Sequence, residues 1–405
     1  MLTQAVLDQV LIGFCPVIDA KRTLAATRLT IFPERPEVAD QGQALIAAIA
    51  EAFALDKAGA GATAVSPLLL NVASEPLLDS VLCALQRQPQ ALVVEVPAFL
   101  AADGRRLALL QAVSAAGQAL AINGRPATEL PREVLPCFRQ AVVDFHDDRR
   151  NEVPPPVLPQ RRIATLSSGV RLSSEIDAAF ERGASAVIGW PVDDDITAGG
   201  TRGVPPEVRG IVELMNRVER EESAERMEGV LTSDPTLAFR LLRYLNSSAF
   251  GLRSEVTSFR HALMLLGHQR LKRWLALLLA SGSKSVAARP VMFMAARRGL
   301  IMEELARGLG DESMRSEMFI CGVFSLLDRL LRQPLDELMR SVPVQHSVQQ
   351  SLTAQGPYTQ HLALVMAVEQ SSAYDIREAA ERVLIARGEL NRALLKALSV
   401  ARELD

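Results

Sequence analysis

The pair of side chains best suited to holding a metal is His146-Asp147, the only literal His-Asp dipeptide in the chain. A bound metal with its activated water needs several such groups converging on one point. No partner histidine stands at helical spacing from the pair, and His261, His268, His346 and His361 are isolated. They read as surface or hydrogen-bonded structural histidines. Cys15, Cys83, Cys137 and Cys321 are far apart and form no Cys-x-x-Cys pair. Neither a metal knuckle nor a disulfide framework follows from that spacing, and the thiols read as small buried residues of a reducing compartment. No Ser/His/Asp nucleophile signature is visible. Gly199-Gly200-Thr201-Arg202-Gly203 lacks the following Lys and the preceding strand of a phosphate loop.

One charged stretch stands out. Arg240, Arg243, Arg253, Arg260, Arg270, Lys272 and Arg273 are opposed only by Glu255 between positions 240 and 273. Such a local excess can dock an acidic partner, a nucleotide or nucleic acid. It can equally be a set of solvated helix faces whose stems cover apolar surface, offset by the acidic stretch from Glu219 to Glu228. Arg240, Arg243, Arg270, Lys272 and Arg273 are the candidate partner-binding patch.

The elements that position these residues fall into two kinds. Short apolar runs at 10–14, 68–72, 91–96, 119–122, 141–145 and 186–190 alternate with helical stretches at 77–87, 105–116 and 174–182. That alternation implies a parallel sheet with helical crossovers. Six or so units predict a reduced barrel more than a complete eight-fold one. A polar, Pro-rich loop at 151–162 lies inside this half, and turn residues at 193–206 close it. From Pro206 onward only helical spacing is seen, and a bundle of about 200 residues is expected. Asp234-Pro235 caps a helix at 236–245, and Ser258 caps 259–266, which stops at Gly267 before a further helix at 271–279. The predicted domains are 1–198 and 199–405.

With 49% hydrophobic and 22% charged residues the chain has a globular balance, and its net charge of −3 suggests neither a general nucleic-acid binder nor a membrane-surface protein. The N-terminus has no basic region and carries Asp8, and the apolar run 275–280 is too short for a bilayer. A soluble, cytoplasmic protein is expected.

The segment from Leu231 through Asp234-Pro235 and an apolar helix to Asn246-Ser247-Ser248-Ala249-Phe250-Gly251, followed by 258–267 and 271–279, resembles an HDOD domain. Such domains are similar in fold to metal-dependent HD phosphohydrolases without their ligands. In the matching stretch 322–328, Ser325 and Leu326 stand where the His-Asp pair would be.

The first half resembles an EAL domain, the barrel of cyclic-di-GMP phosphodiesterases. The resemblance places Arg28 at the signature metal-binding Glu, and Asn71 and Glu95 at a metal-binding Asn and Glu. Ala121 and Ile122 stand at the paired aspartates, and Val142 at a Lys, with Asp144 kept. Ile188-Gly189 replaces the Gln-Gly, and the Glu expected within 164–169 is missing.

Domain order and these replacements resemble the EAL–HDOD family of bacterial signalling proteins. The resemblance implies a degenerate EAL-like barrel followed by an all-helical HDOD bundle, with no catalytic activity, metal or cofactor. Function then lies in contacts of the HDOD domain with other signalling proteins, and the barrel is a scaffold or relic sensor. Cyclic di-GMP, nucleic acid and membrane are not expected as partners. The alternatives are a non-hydrolysing cyclic-di-GMP receptor and an active phosphodiesterase.

Overall fold

A computed structural model describes residues 2–55, 68–126, 130–148, 163–194, 208–233, 237, 240, 259–281 and 288–402. Eight strands close into a barrel in sequence order: β1 (Val10–Asp19), β2 (Leu24–Pro33), β3 (Leu68–Val72), β4 (Val93–Pro97), β5 (Ala119–Asn123), β6 (Phe138–Asp144), β7 (Ala164–Val170) and β8 (Ala186–Gly189). β1 runs antiparallel to both β2 and β8, and the neighbours from β2 to β8 are parallel. The barrel is therefore complete, not the reduced one expected.

The two strands the apolar-run criterion missed are β2 and β7. Each is broken by polar or small side chains, with Ala, Thr and Arg in Leu24–Pro33 and two serines in Ala164–Val170. They are held by pairing on both sides, which period-two patterning does not report.

Inside the barrel, Val17, Leu69, Val93, Ala121, Val142, Leu166, Ala186 and Ile188 form one apolar layer, with Cys15, Ala26 and Ala119 against it. Side chains two residues apart on a strand share a face. Asn71 and Glu95 therefore point inward one step beyond Leu69 and Val93, toward the end where the parallel strands finish. Outside, the helix Ser173–Glu181 lays Ile176 and Ala179 on Ile18, Val170 and Val187.

The chain divides into two compact units, 1–194 with 363–405, and 195–362. This corrects the predicted division at its end. The C-terminal residues, expected in the helical bundle, belong to the barrel's unit. Helical periodicity shows that one face of the helices Ala373–Arg382 and Arg387–Arg402 must be buried, without showing against what. The tie is specific: the buried Asn391 donates from Nδ2 to the carbonyls of Leu7 and Val10, both at 2.8 Å. Arg377 donates to both carboxylate oxygens of Glu34, at 2.9 and 2.7 Å.

In the second unit the described elements are all helices. Helix Phe259–Ala280 contains a break at Gly267, whose φ of 66° and ψ of 169° are non-helical, where the sequence places a helix stop. Helices Arg289–Leu305 and Glu312–Phe324 cross at glycine: a Cβ on Gly322 would lie 2.7 Å from the carbonyl oxygen of Arg298 and from Cα of Gly299. Neither atom can move without shifting a helix. Gly322→Ala is expected to destabilise this unit by about 1–3 kcal/mol, read as a lower urea midpoint of Trp274 emission.

The caps assigned to Asp234 and Ser258, the Asn246–Gly251 turn, the 151–162 loop and most of the 193–206 linker lie outside the described residues. Among the described residues no helix is long and apolar enough to cross a membrane.

Candidate functional site

The strand-end mouth of the barrel holds a buried ion pair. Arg28, on β2, donates from Nε to Oε1 and from Nη2 to Oε2 of Glu95 on β4, each at 2.6 Å. Asn123, the last residue of β5, donates from Nδ2 to Glu95 Oε2 at 2.6 Å. The Glu95 side chain is 0% exposed and that of Arg28 18%. A planar guanidinium meeting a carboxylate through two parallel N–H bonds is the strongest geometry available to such a pair. Burial works against the charged guanidinium, but the charge and hydrogen bonds of Glu95 prevail, holding the Arg28 pKa above its ordinary value.

The position the EAL resemblance gives to a metal-binding Glu thus carries the counter-ion of the next metal-binding Glu. A cation entering here meets a carboxylate already neutralised.

Asn71 is half-buried on the inward face of β3, and its register partner is Thr30. Asp144, at the end of β6, accepts from the backbone N–H of His146 at 2.9 Å. It also lies against Gly169, where a Cβ would come within 2.6 Å of Oδ2. Cys15 pairs in register with Arg28. Burial pushes its thiol up to about 12, opposed by Arg28 and reinforced by Glu369 and Glu95. In this buried setting it stays protonated at neutral pH and reacts slowly.

His146 and Asp147 are exposed, and His146 Nε2 lies 3.8 Å from Glu175. Among the described residues no three His, Cys, Asp or Glu side chains are grouped to hold a metal ion.

In the helical unit, the Ser325 hydroxyl donates to the Gly322 carbonyl at 2.7 Å and accepts from Arg298 Nη1 at 2.8 Å. Leu326 is buried in the core. Asp328 nearby has its carboxyl pKa raised by burial, against the lowering from the Arg329 backbone N–H and side chain and from Arg298.

The basic patch does not form one free surface. Lys272 pairs with Glu219 at 2.7 Å, so the acidic stretch does offset it in part. Arg273 pairs with Glu303 and lies 4.6 Å over the Phe319 ring. Arg240 and Arg270 are exposed, and Arg243 lies outside the described residues. The sequence reading did not assign Asn123, Cys15 or Glu369 to the site. Two opposite charges on inward positions of β2 and β4 are the signal, usable only once the barrel register is known.

Residues 204–355 match the family model of the HDOD domain. The Bacillus subtilis protein YuxH is 31% identical over 165 residues, 40% of this chain and 40% of that protein. A Vibrio cholerae protein named cyclic di-GMP phosphodiesterase CdgJ is 28% identical over 152 residues, 37% of this chain and 35% of its own length. The chain spans well under half of the curated relatives it matches. Among solved structures, the S helix-GGDEF-EAL portion of Vibrio cholerae LapD bound to c-di-GMP aligns with a TM-score of 0.34 and 15% identity, over 47% of this chain and 56% of that one. The closed order of the eight strands, not this likeness, defines the barrel.

The name of the second relative contradicts the expectation that the chain has no catalytic activity, and that expectation is corrected. Replacements at single positions do not decide what a mouth furnished with Asn71, Glu95 and Asp144 can do. The expectation against cyclic di-GMP as a ligand likewise has no support in these comparisons.

Proposed function

We propose that the chain is a cyclic-di-GMP-related signalling protein whose helical unit delivers its output by binding other proteins, with the barrel as scaffold or sensor. One observation carries the first part. At the positions where HD phosphohydrolases would carry the His-Asp pair, the Ser325 hydroxyl is committed to Arg298 and Gly322, and Leu326 fills the core. What the helical unit offers other molecules is therefore its outer face. The link to cyclic di-GMP rests on the HDOD match and on the name of the Vibrio cholerae relative.

A second reading, binding of cyclic di-GMP in the barrel, is favoured by the inward polar groups Asn71, Arg28, Glu95, Asn123 and Asp144. In barrels of this kind ligands sit where the parallel strands end. Calorimetric titration with cyclic di-GMP separates the readings.

The test of the first reading is a charge reversal on the full chain. Arg240→Glu with Arg270→Glu touches only exposed members of the basic stretch and leaves the internal pairs of Lys272 and Arg273 intact. Rim charges act mainly on association rate and salt dependence. The double variant should bind the proteins that the unaltered full chain recovers in a pull-down more weakly, most of all at low salt, with unchanged helical content. Equal binding of every partner would remove these residues from the interface.

A further inference from the structure

The barrel's mouth is occupied by the chain itself. Gly13 on β1 pairs in register with Thr30, and Thr30 with Asn71. Antiparallel partners share a face, so Gly13 lies on the same inward row as Cys15 and Val17, at the level of Asn71. A Cβ on Gly13 would lie 2.6 Å from Ser371 Oγ and 2.7 Å from Ser371 Cα. The backbone of Ser371 is thus seated against the inner wall of the mouth, and only glycine at position 13 admits it.

Two residues earlier, Glu369 is buried and close enough for its charge to act on the Cys15 thiol, beside the charges of Arg28, Glu95 and Arg171. The end of helix Thr359–Gln370 and the turn that follows it at Ser371 therefore bring a carboxylate into the polar cluster.

We propose that this turn is an internal plug of the barrel mouth, an autoinhibitory contact that any ligand of the mouth must displace. Three features suit it to release. Ser371 has a φ of 53°, in the left-handed region that costs a side-chain-bearing residue free energy. Among the described residues the buried Ser371 Oγ has no hydrogen-bond partner, a further cost of keeping the contact closed. The anchors beyond the turn are at the surface: Arg377, 43% exposed, holds Glu34 through two hydrogen bonds, and Arg387 lies 3.5 Å from the same carboxylate. The plug stands whichever ligand the mouth takes, so its test does not depend on the functional reading above.

Cys15 is the reporter, two residues along the inward row from Gly13. In the full chain with the exposed Cys83 changed to Ser, a bulky maleimide should label Cys15 slowly. Arg377→Ala removes the anchor, and Gly13→Ala forces Ser371 off its seat. Each should speed labelling of Cys15, located by peptide mapping, by about tenfold, the scale on which losing one charge-assisted pair shifts a local opening equilibrium. Helical content and Trp190 emission should be unchanged. If Gly13→Ala fails to fold, Arg377→Ala decides alone. An unchanged Cys15 rate in folded Arg377→Ala overturns the proposal.

Discussion

Replacing Arg28 with alanine should destabilise the barrel by about 3–5 kcal/mol, the cost of removing one partner from a buried ion pair. Among the described residues, the Glu95 carboxylate, 0% exposed, would keep the hydrogen bond from Asn123 alone. Arg28→Lys should recover part of the loss, because a single ammonium cannot make the two parallel bonds. Arg28→Met combined with Glu95→Gln should cost less than Arg28→Ala, since no buried charge is then left unpaired. The chain has two tryptophans, Trp190 in the barrel's unit and Trp274 in the helical one. Trp190 stands edge-on to Phe14, ring centroids 5.3 Å apart. Urea melts in a Trp274→Phe background therefore report the barrel alone. A shift below 1 kcal/mol for Arg28→Ala would mean that the pair is solvated and does not hold the mouth together.

Ending the chain at Ser372 should cost more still. The removed helices bury Ile376, Leu390, Leu394, Leu395 and Leu398 together with Asn391, within the barrel's own unit. At about 1.5–3 kcal/mol for each large apolar side chain, the loss matches or exceeds the 5–15 kcal/mol that holds a typical domain folded. The truncated protein should lose the cooperative transition seen at Trp190 and keep the one seen at Trp274. A truncated chain whose Trp190 transition matches that of the full chain would show that the C-terminal helices are dispensable to the barrel.

Local elements were legible in the sequence where apolar runs and helical spacing speak for themselves. The run at 68–72 coincides with β3, and the helix expected at 77–87 is the core of Glu75–Arg87, which begins earlier because Ser74 accepts from the N–H of Leu77. What was not legible depends on contacts distant in sequence. Arg28 and Glu95 are 67 residues apart and meet only through barrel closure. Asn391 lies 384 residues from Leu7, and no periodicity announces that pairing. The basic stretch shows the same limit from the other side. Composition revealed the excess of Arg and Lys, but only packing shows that Lys272 and Arg273 are taken up by Glu219 and Glu303 while Arg240 and Arg270 remain exposed.

Output through the helical unit is tested most directly by site-specific crosslinking in the full chain. A photoreactive side chain is placed in turn at position 270 of the helical unit and at position 105 of the barrel, where Arg105 is 89% exposed. Partner adducts are then identified in cells of the source organism. The proposed function predicts adducts from position 270, lost when Arg240 is reversed to Glu, and none from position 105. Adducts from position 105 with none from position 270 would place the output on the barrel and contradict it.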